Sequence, residues 1–217
     1  MSQNTSSSIP KRAVFCDFDG TITTEETFVG MLKEFSPQLS AQLMPEMYAL
    51  RLTLREGVRR LLESIPSAKY PEIIEYAKTR SIRPGFEELL DFLDAHEVPF
   101  ILVSGGVRCI VETVLGPLTQ RMAGIYAVDL DTTGEFMKVH SQFEEDTELV
   151  SKVKVMLQHP AQEQIAIGDS VTDLKMALWV PVVFARDRLI QYLDDHQKPY
   201  IAWNDFFEVR EQLSQRW

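Results

Sequence analysis

Asp17 and Asp19 stand two residues apart in Asp17-Phe-Asp-Gly-Thr21, directly after the apolar run Ala13-Val-Phe-Cys16. Where a strand gives way to a loop, carboxylates spaced in this way reach one site, and Gly20 permits the sharp turn. An Asx turn uses the same residues, so this motif alone decides nothing. Ser104-Gly-Gly106 follows the apolar run 100–103. Its hydroxyl, with the free N–H groups of a helix expected to start at Val107, would cradle an anion. A plain serine N-cap would read the same way. Gly168-Asp-Ser-Val-Thr-Asp173 follows a third apolar run, 165–167. Asp173 suits the acidic third position of a helix capped by Ser170. Asp169 is harder to place as structure. Beside Asp17 and Asp19, its charge would meet about 4 kcal/mol of repulsion for each contact near 4 Å at an effective dielectric of 20. A hard divalent cation relieves this, and an oxygen-only site with few carboxylates suits Mg²⁺. Leu149, Lys152, Val153 and Met156 share one helical face, and Lys154 points elsewhere. Lys152 either lays its stem over apolar surface or reaches the carboxylates.

These residues need a scaffold, and the sequence supplies one. The runs 13–16, 100–103, 165–167 and 182–185 are too short for helices and do not alternate with polar residues. Strands buried on both faces of a parallel sheet read in this way. Helical periodicity covers 86–96, 107–118, 148–158 and 171–179. The expected fold is therefore α/β, a doubly wound parallel sheet with right-handed crossovers. Sites in such sheets lie beyond the carboxyl ends of the strands, where the polar turns fall. Residues 24–83 hold no strand candidate. The stretches 25–35, 40–50, 54–64 and 71–80 read as helices, with Thr53 capping the third. We expect an inserted all-α subdomain over 24–83, a core of 13–23 and 84–217, and a tail over 1–12. Asp131-Thr-Thr-Gly134 marks a hairpin turn within the less regular stretch 129–143.

Composition limits the function. The formal charge is −10, from 32 acidic and 22 basic residues. That opposes nucleic acid or an anionic membrane as the main partner. No apolar stretch approaches the ~20 residues of a membrane span. Residues 1–12 lack the apolar stretch of a secretory signal, and two scattered cysteines, Cys16 and Cys109, form no disulfide framework. A cytoplasmic protein is expected.

In this order, DxDGT, Ser-Gly-Gly, a helical lysine and GDSxxD resemble the haloacid-dehalogenase-like phosphatase superfamily, over 13–185. The helical insertion is similar to the cap of its phosphoserine-phosphatase-like branch. Glu56-Gly-Val58, Phe184-Ala-Arg-Asp187 and Asp205-Phe-Phe-Glu208 are similar to the superfamily's methionine-salvage phosphatases, although 134–148 lacks the Cys cluster associated with them. The resemblance implies a phosphomonoesterase for a small phosphorylated metabolite, either the methionine-salvage enol-phosphate or a phosphoserine-like ester. It implies Asp17 as nucleophile and Asp19 as general acid and base. Mg²⁺ would lie on Asp17, Asp169 and the Asp19 carbonyl, with Asp173 behind them. Ser104, Gly105 and Lys152 would bind the phosphoryl group, with Lys154 the other candidate lysine. In the cap, Glu26, nine residues beyond Asp17, and Arg60 would read the substrate, although Arg60 also suits a helical pair with Glu56. Phe28, Met31, Met44 and Met47 suit the cap core. Two other functions fit the same motifs: a phosphotransferase or mutase sharing the aspartyl-phosphate, and a non-catalytic scaffold. The four aspartates speak against the scaffold.

Overall fold

The computed structural model describes residues 9–217. Residues 1–8 of the expected tail lie outside the described residues. The rest of that segment is not tail. The carbonyls of Pro10 and Lys11 accept from Gln162 and Glu163, and Arg12 opens the first strand and pairs with Glu163 at 3.0 Å.

The strands are β1 (Arg12–Cys16), β2 (Phe100–Val107), β3 (Gly124–Asp131), β4 (Lys138–His140), β5 (Glu163–Gly168), β6 (Val182–Ala185) and β7 (Ile201–Ala202). They form one sheet in the order β4-β3-β2-β1-β5-β6-β7, parallel except for β4. Phe15, Ile101, Ile167 and Phe184 in the middle of the sheet are wholly buried, because helices cover both faces. The helices of this layer are α5 (Phe86–Ala95), α6 (Arg108–Leu115), α7 (Lys152–Gln158), α8 (Leu174–Trp179), α9 (Asp187–Asp195) and α10 (Phe206–Arg216).

The structure departs from the sequence expectations in three further places that bear on the site. β2 runs through Ser104-Gly-Gly106, with a register shift against β3, and α6 begins at Arg108. The expected turn is an irregular strand end. β3 is a full sheet strand. Its residues are mostly half-buried, so its apolar signal is weak, and the expected hairpin joins it to β4. Asp131 Oδ1 accepts the Thr133 N–H in that turn at 2.8 Å. α7 starts at Lys152 rather than 148, capped by Ser151, and buries Lys152, Val155 and Met156.

Between β1 and α5 lie α1 (Thr27–Phe35), α2 (Pro37–Tyr48), α3 (Leu54–Leu62) and α4 (Tyr70–Lys78). Thr53 caps α3 by accepting the Glu56 N–H, as the spacing predicts. Met31, Met44, Met47, Leu61 and Ile73 fill the interior of this insertion. The chain leaves and returns through one narrow neck. Thr23 bridges Ile82, the Thr24 N–H reaches the Ser81 carbonyl, and the Arg83 N–H reaches that of Ile22 at 2.7 Å. No helix of the described residues is long and apolar enough to cross a membrane.

Candidate active site

β1 and β5 are adjacent and in register, with Cys16 opposite Ile167, so the residues that follow emerge side by side. The Asp17 N–H donates to the Ile167 carbonyl at 3.0 Å. One carboxylate oxygen from each of Asp17, Asp169 and Asp173 lies within 4.8 Å of the others, and all three residues are buried. The Lys152 ammonium enters this group, donating to Asp17 and, at 2.5 Å, to Asp173. Lys152 is the first residue of α7, where a cation opposes the helix dipole. The two carboxylates outweigh that cost. Lys154 instead points outward to Glu145 and the Glu144 carbonyl.

Asp173 keeps the place expected of a capping box, accepting the N–H groups of Asp169 and Ser170 on Oδ2. Its other oxygen holds Lys152, so it serves both purposes. Asp169 Oδ1 accepts the Thr21 hydroxyl at 3.0 Å. Asp169 Oδ2 stands 2.6 Å from where a Cβ on Gly20 would be, and Gly20 has a φ of +82°. Only glycine fits both the turn and that carboxylate.

Three carboxylates against one ammonium leave the cluster negative. Burial pushes the Asp17 carboxyl up to about 6, with Asp173 adding and Lys152 opposing. Burial also carries Asp169 to about 9, helped by the charges of Asp17 and Asp173. For Lys152, burial works against the charge, but Asp17 and Asp173 outweigh it and hold the amine well above its ordinary range. Groups held so far from their ordinary values mark a site that lacks positive charge. Asp169 Oδ2 accepts no hydrogen bond among the described residues. The all-oxygen donor set, its burial and its charge deficit therefore fit a hard divalent cation.

Asp19 Oδ1 accepts the Phe28 N–H at 2.8 Å. Burial raises its carboxyl to about 8, against that hydrogen bond and with the charge of Asp17 adding. Ser104 Oγ accepts the Gly106 N–H at 3.0 Å, which leaves its own proton for another acceptor. Gly105 is exposed, and the space before it is open. Glu26 is exposed and lines a cleft of about 540 Å³ with Gly20, Asp169, Asp187 and Arg188. Arg60 does not join this group. It is an exposed partner of Glu56 at 3.6 Å. Phe28, expected in the insertion's core, packs its ring against Gly106 instead and meets Asp19 through its backbone. Sequence reasoning did not single out Thr21 or Arg83. Thr21 lay inside a motif already noted, whereas Arg83, beside a proline, gave no signal of burial.

The haloacid dehalogenase-like hydrolase profile matches residues 14–178. A protein of Microcystis aeruginosa, strain NIES-843, named 2-hydroxy-3-keto-5-methylthiopentenyl-1-phosphate phosphatase, is 57% identical over 93% of this chain and 97% of its own length. A Lysinibacillus sphaericus protein of the same name is 31% identical over 94% of this chain and 95% of its own. Among solved structures, a phosphoserine phosphohydrolase-like protein from Francisella tularensis superposes with a TM-score of 0.71 at 18% identity, covering 93% of this chain and 99% of that one. A phosphoserine phosphatase carrying a phospho-aspartyl intermediate analogue gives 0.67 at 18% identity, over 96% and 99%. With Asp17 and Asp173 gathered on Lys152 and relatives of these names over nearly its whole length, this chain belongs to the haloacid dehalogenase-like hydrolase family, as a phosphoric monoester hydrolase.

Proposed function

We propose that the chain hydrolyses 2-hydroxy-3-keto-5-methylthiopentenyl-1-phosphate with Mg²⁺ as cofactor, through an aspartyl-phosphate on Asp17. The observation that carries the chemistry is Lys152 held between Asp17 and Asp173, with Asp19 beside them on the Phe28 N–H. The 57% identity to the Microcystis relative carries the substrate.

Asp17, Asp169 and the Asp19 carbonyl would hold Mg²⁺, which supplies charge neutralisation to the nucleophile and the phosphoryl oxygens. An Asp17 oxygen attacks phosphorus, and the bond from phosphorus to the ester oxygen breaks. Asp19, raised to about 8, carries a proton near neutral pH and gives it to the leaving oxygen. It then takes a proton from the water that attacks the acyl phosphate, releasing phosphate and restoring the Asp17 carboxylate. Lys152, the Ser104 hydroxyl and the Gly105 N–H hold the phosphoryl oxygens, so positioning and charge supply most of the rate.

Residues 24–83 act as a cap. They begin a few residues after Asp19, and Phe28 lies over Gly106, so closure would exclude water and large esters together. Glu26 reads the substrate from the cleft wall. The charge of −10 disfavours nucleic acids, and two free cysteines suit the reducing cytoplasm.

The test is a comparison of this ester, phosphoserine and p-nitrophenyl phosphate, with Mg²⁺ and with chelator. We expect kcat/KM to favour the methionine-salvage ester by at least about tenfold, because only it realises the cap contacts. We also expect no turnover in chelator and no phosphoenzyme in Asp17→Asn. Preference for phosphoserine would overturn the substrate, full activity in chelator the cation, and a phosphoenzyme in Asp17→Asn the nucleophile.

A further inference from the structure

Arg83 stands where the insertion rejoins the core. Its side chain is 8% exposed, yet among the described residues it makes no ion pair. Its guanidinium is given over to backbone oxygens. Nη2 donates to the carbonyls of Gly20 at 2.7 Å and Thr23 at 3.0 Å, Nε to that of Thr21 at 2.8 Å, and Nη1 to that of Asn204 at 3.5 Å. The left-handed Gly20 curls the chain after Asp19, so that three carbonyls of one turn converge on a point. Convergent carbonyl dipoles repel unless a cation meets them, and a buried cation is costly unless its donors are matched. The planar fork of arginine satisfies both conditions, and an ammonium does not.

The turn that Arg83 grips also carries the contact that orients Asp169. Arg83 holds the Thr21 carbonyl, and the Thr21 hydroxyl donates to Asp169 Oδ1 at 3.0 Å. On the other side, Asp169 Oδ2 occupies the space that a side chain on Gly20 would need. Movement of this turn therefore moves one of the carboxylates available to a cation.

We propose that Arg83 is a positioning residue for the metal site: by fixing the carbonyls of Gly20 and Thr21 it holds the Thr21 hydroxyl on Asp169 and so sets the affinity for the divalent cation. This rests on the metal reading above. Outer contacts that orient a metal ligand typically change affinity by about 10–100-fold when removed.

The experiment measures Mn²⁺ binding to the metal-free protein, from the electron paramagnetic resonance signal of free Mn²⁺. It compares wild type, Arg83→Lys, Thr21→Val and the double variant, with thermal unfolding of each. Arg83→Lys keeps the charge and stem but loses the fork. We expect Arg83→Lys and Thr21→Val each to weaken Mn²⁺ binding by about tenfold, and the double variant to be little worse than either, since both break one relay. At saturating metal, KM for p-nitrophenyl phosphate should stay within about twofold, because no phosphate contact is lost. Wild-type affinity in Arg83→Lys would overturn the proposal. So would additive losses, which would make the two residues independent. Unfolding of Arg83→Lys where Thr21→Val stays folded would make Arg83 a keystone of the fold instead. Failure of wild type to bind Mn²⁺ would remove the metal reading itself, a distinct result.

Discussion

Replacing Lys152 by alanine tests the centre of the site, with Lys154 as its internal control. Lys152 is 3% exposed and is shared by two carboxylates of similar burial. Removing it leaves Asp17 and Asp173 buried together with no ammonium between them. Breaking a buried pair in this way costs about 3–5 kcal/mol. At ~2–4 °C for each kcal/mol in a chain of this size, the metal-free protein should lose about 10 °C in Tm. The same charge faces the phosphoryl oxygens under the proposed mechanism, and loss of one such electrostatic contact lowers kcat by roughly 10²–10³. Lys154 is 46% exposed and sits 3.4 Å from Glu145, a solvent-screened pair worth at most about 1 kcal/mol. Lys154→Ala should therefore keep kcat within about twofold of wild type. Steady-state kinetics and thermal melts of both variants provide the measurement. A Lys152→Ala enzyme with near-native kcat, or a larger loss at Lys154, would refute the assignment of the buried amine to phosphoryl binding.

Three further outcomes follow from the geometry. Gly20→Ala forces a side chain into a left-handed turn and against Asp169 Oδ2 at 2.6 Å; urea unfolding should show a loss of about 1–2 kcal/mol from the backbone alone, with kcat falling too, and wild-type values for both would contradict the reading. Asp17, Asp19 and Asp169 hold their protons in the metal-free fold up to about 6, 8 and 9, whereas the unfolded chain releases them near 4; the folded state binds more protons, so metal-free stability should fall as pH rises from about 4 to 9, Mg²⁺ should flatten the fall, and a metal-free Tm that rises across this window would be the opposite sign. Glu26→Ala should lower kcat/KM for the methionine-salvage ester and spare p-nitrophenyl phosphate, while Arg60→Ala, removing only an exposed helical pair, should change neither; parallel losses on both esters would place Glu26 in the general machinery.

The central strands were legible because strands buried on both faces carry unbroken apolar runs, and the runs before Asp17 and Asp169 end at the carboxylates of the site. Lys152 was legible for a partly mistaken reason. The buried face of α7 is made by Lys152, Val155 and Met156, not by the stripe through Leu149 and Val153, yet both registers turn Lys152 inward and Lys154 out. β3 was not legible, since a mostly half-buried strand leaves no clear period. Ser104-Gly-Gly106 read as a helix entrance because serine and glycine suit caps and strand irregularities alike. Arg83 was hidden for a different reason. Its partners are backbone carbonyls, and no side-chain pattern announces a buried arginine that meets only main chain.

The sheet order explains why these separate motifs make one site. β1 lies between β2 and β5, so the turn after β1 is flanked by Ser104 on one side and Asp169 on the other. Parallel strands stand about 4.8 Å apart, and side chains leaving adjacent strand ends inherit that spacing. Asp17 and Asp169 leave these two strand ends directly, Asp173 joins them from the turn that follows, and one oxygen of each lies within 4.8 Å of the others, close enough for strong repulsion. The sheet is held together by its apolar interior, whose buried residues run through all of its central strands, and that burial opposes the repulsion at its end. Lys152 relieves part of the charge from α7, an element outside the sheet, and the remainder is left for a ligand. A centre assembled in this way has no local precursor. Asp17 and Lys152 stand 135 residues apart, so their contact exists only in the folded chain, where the local elements and the overall fold agree.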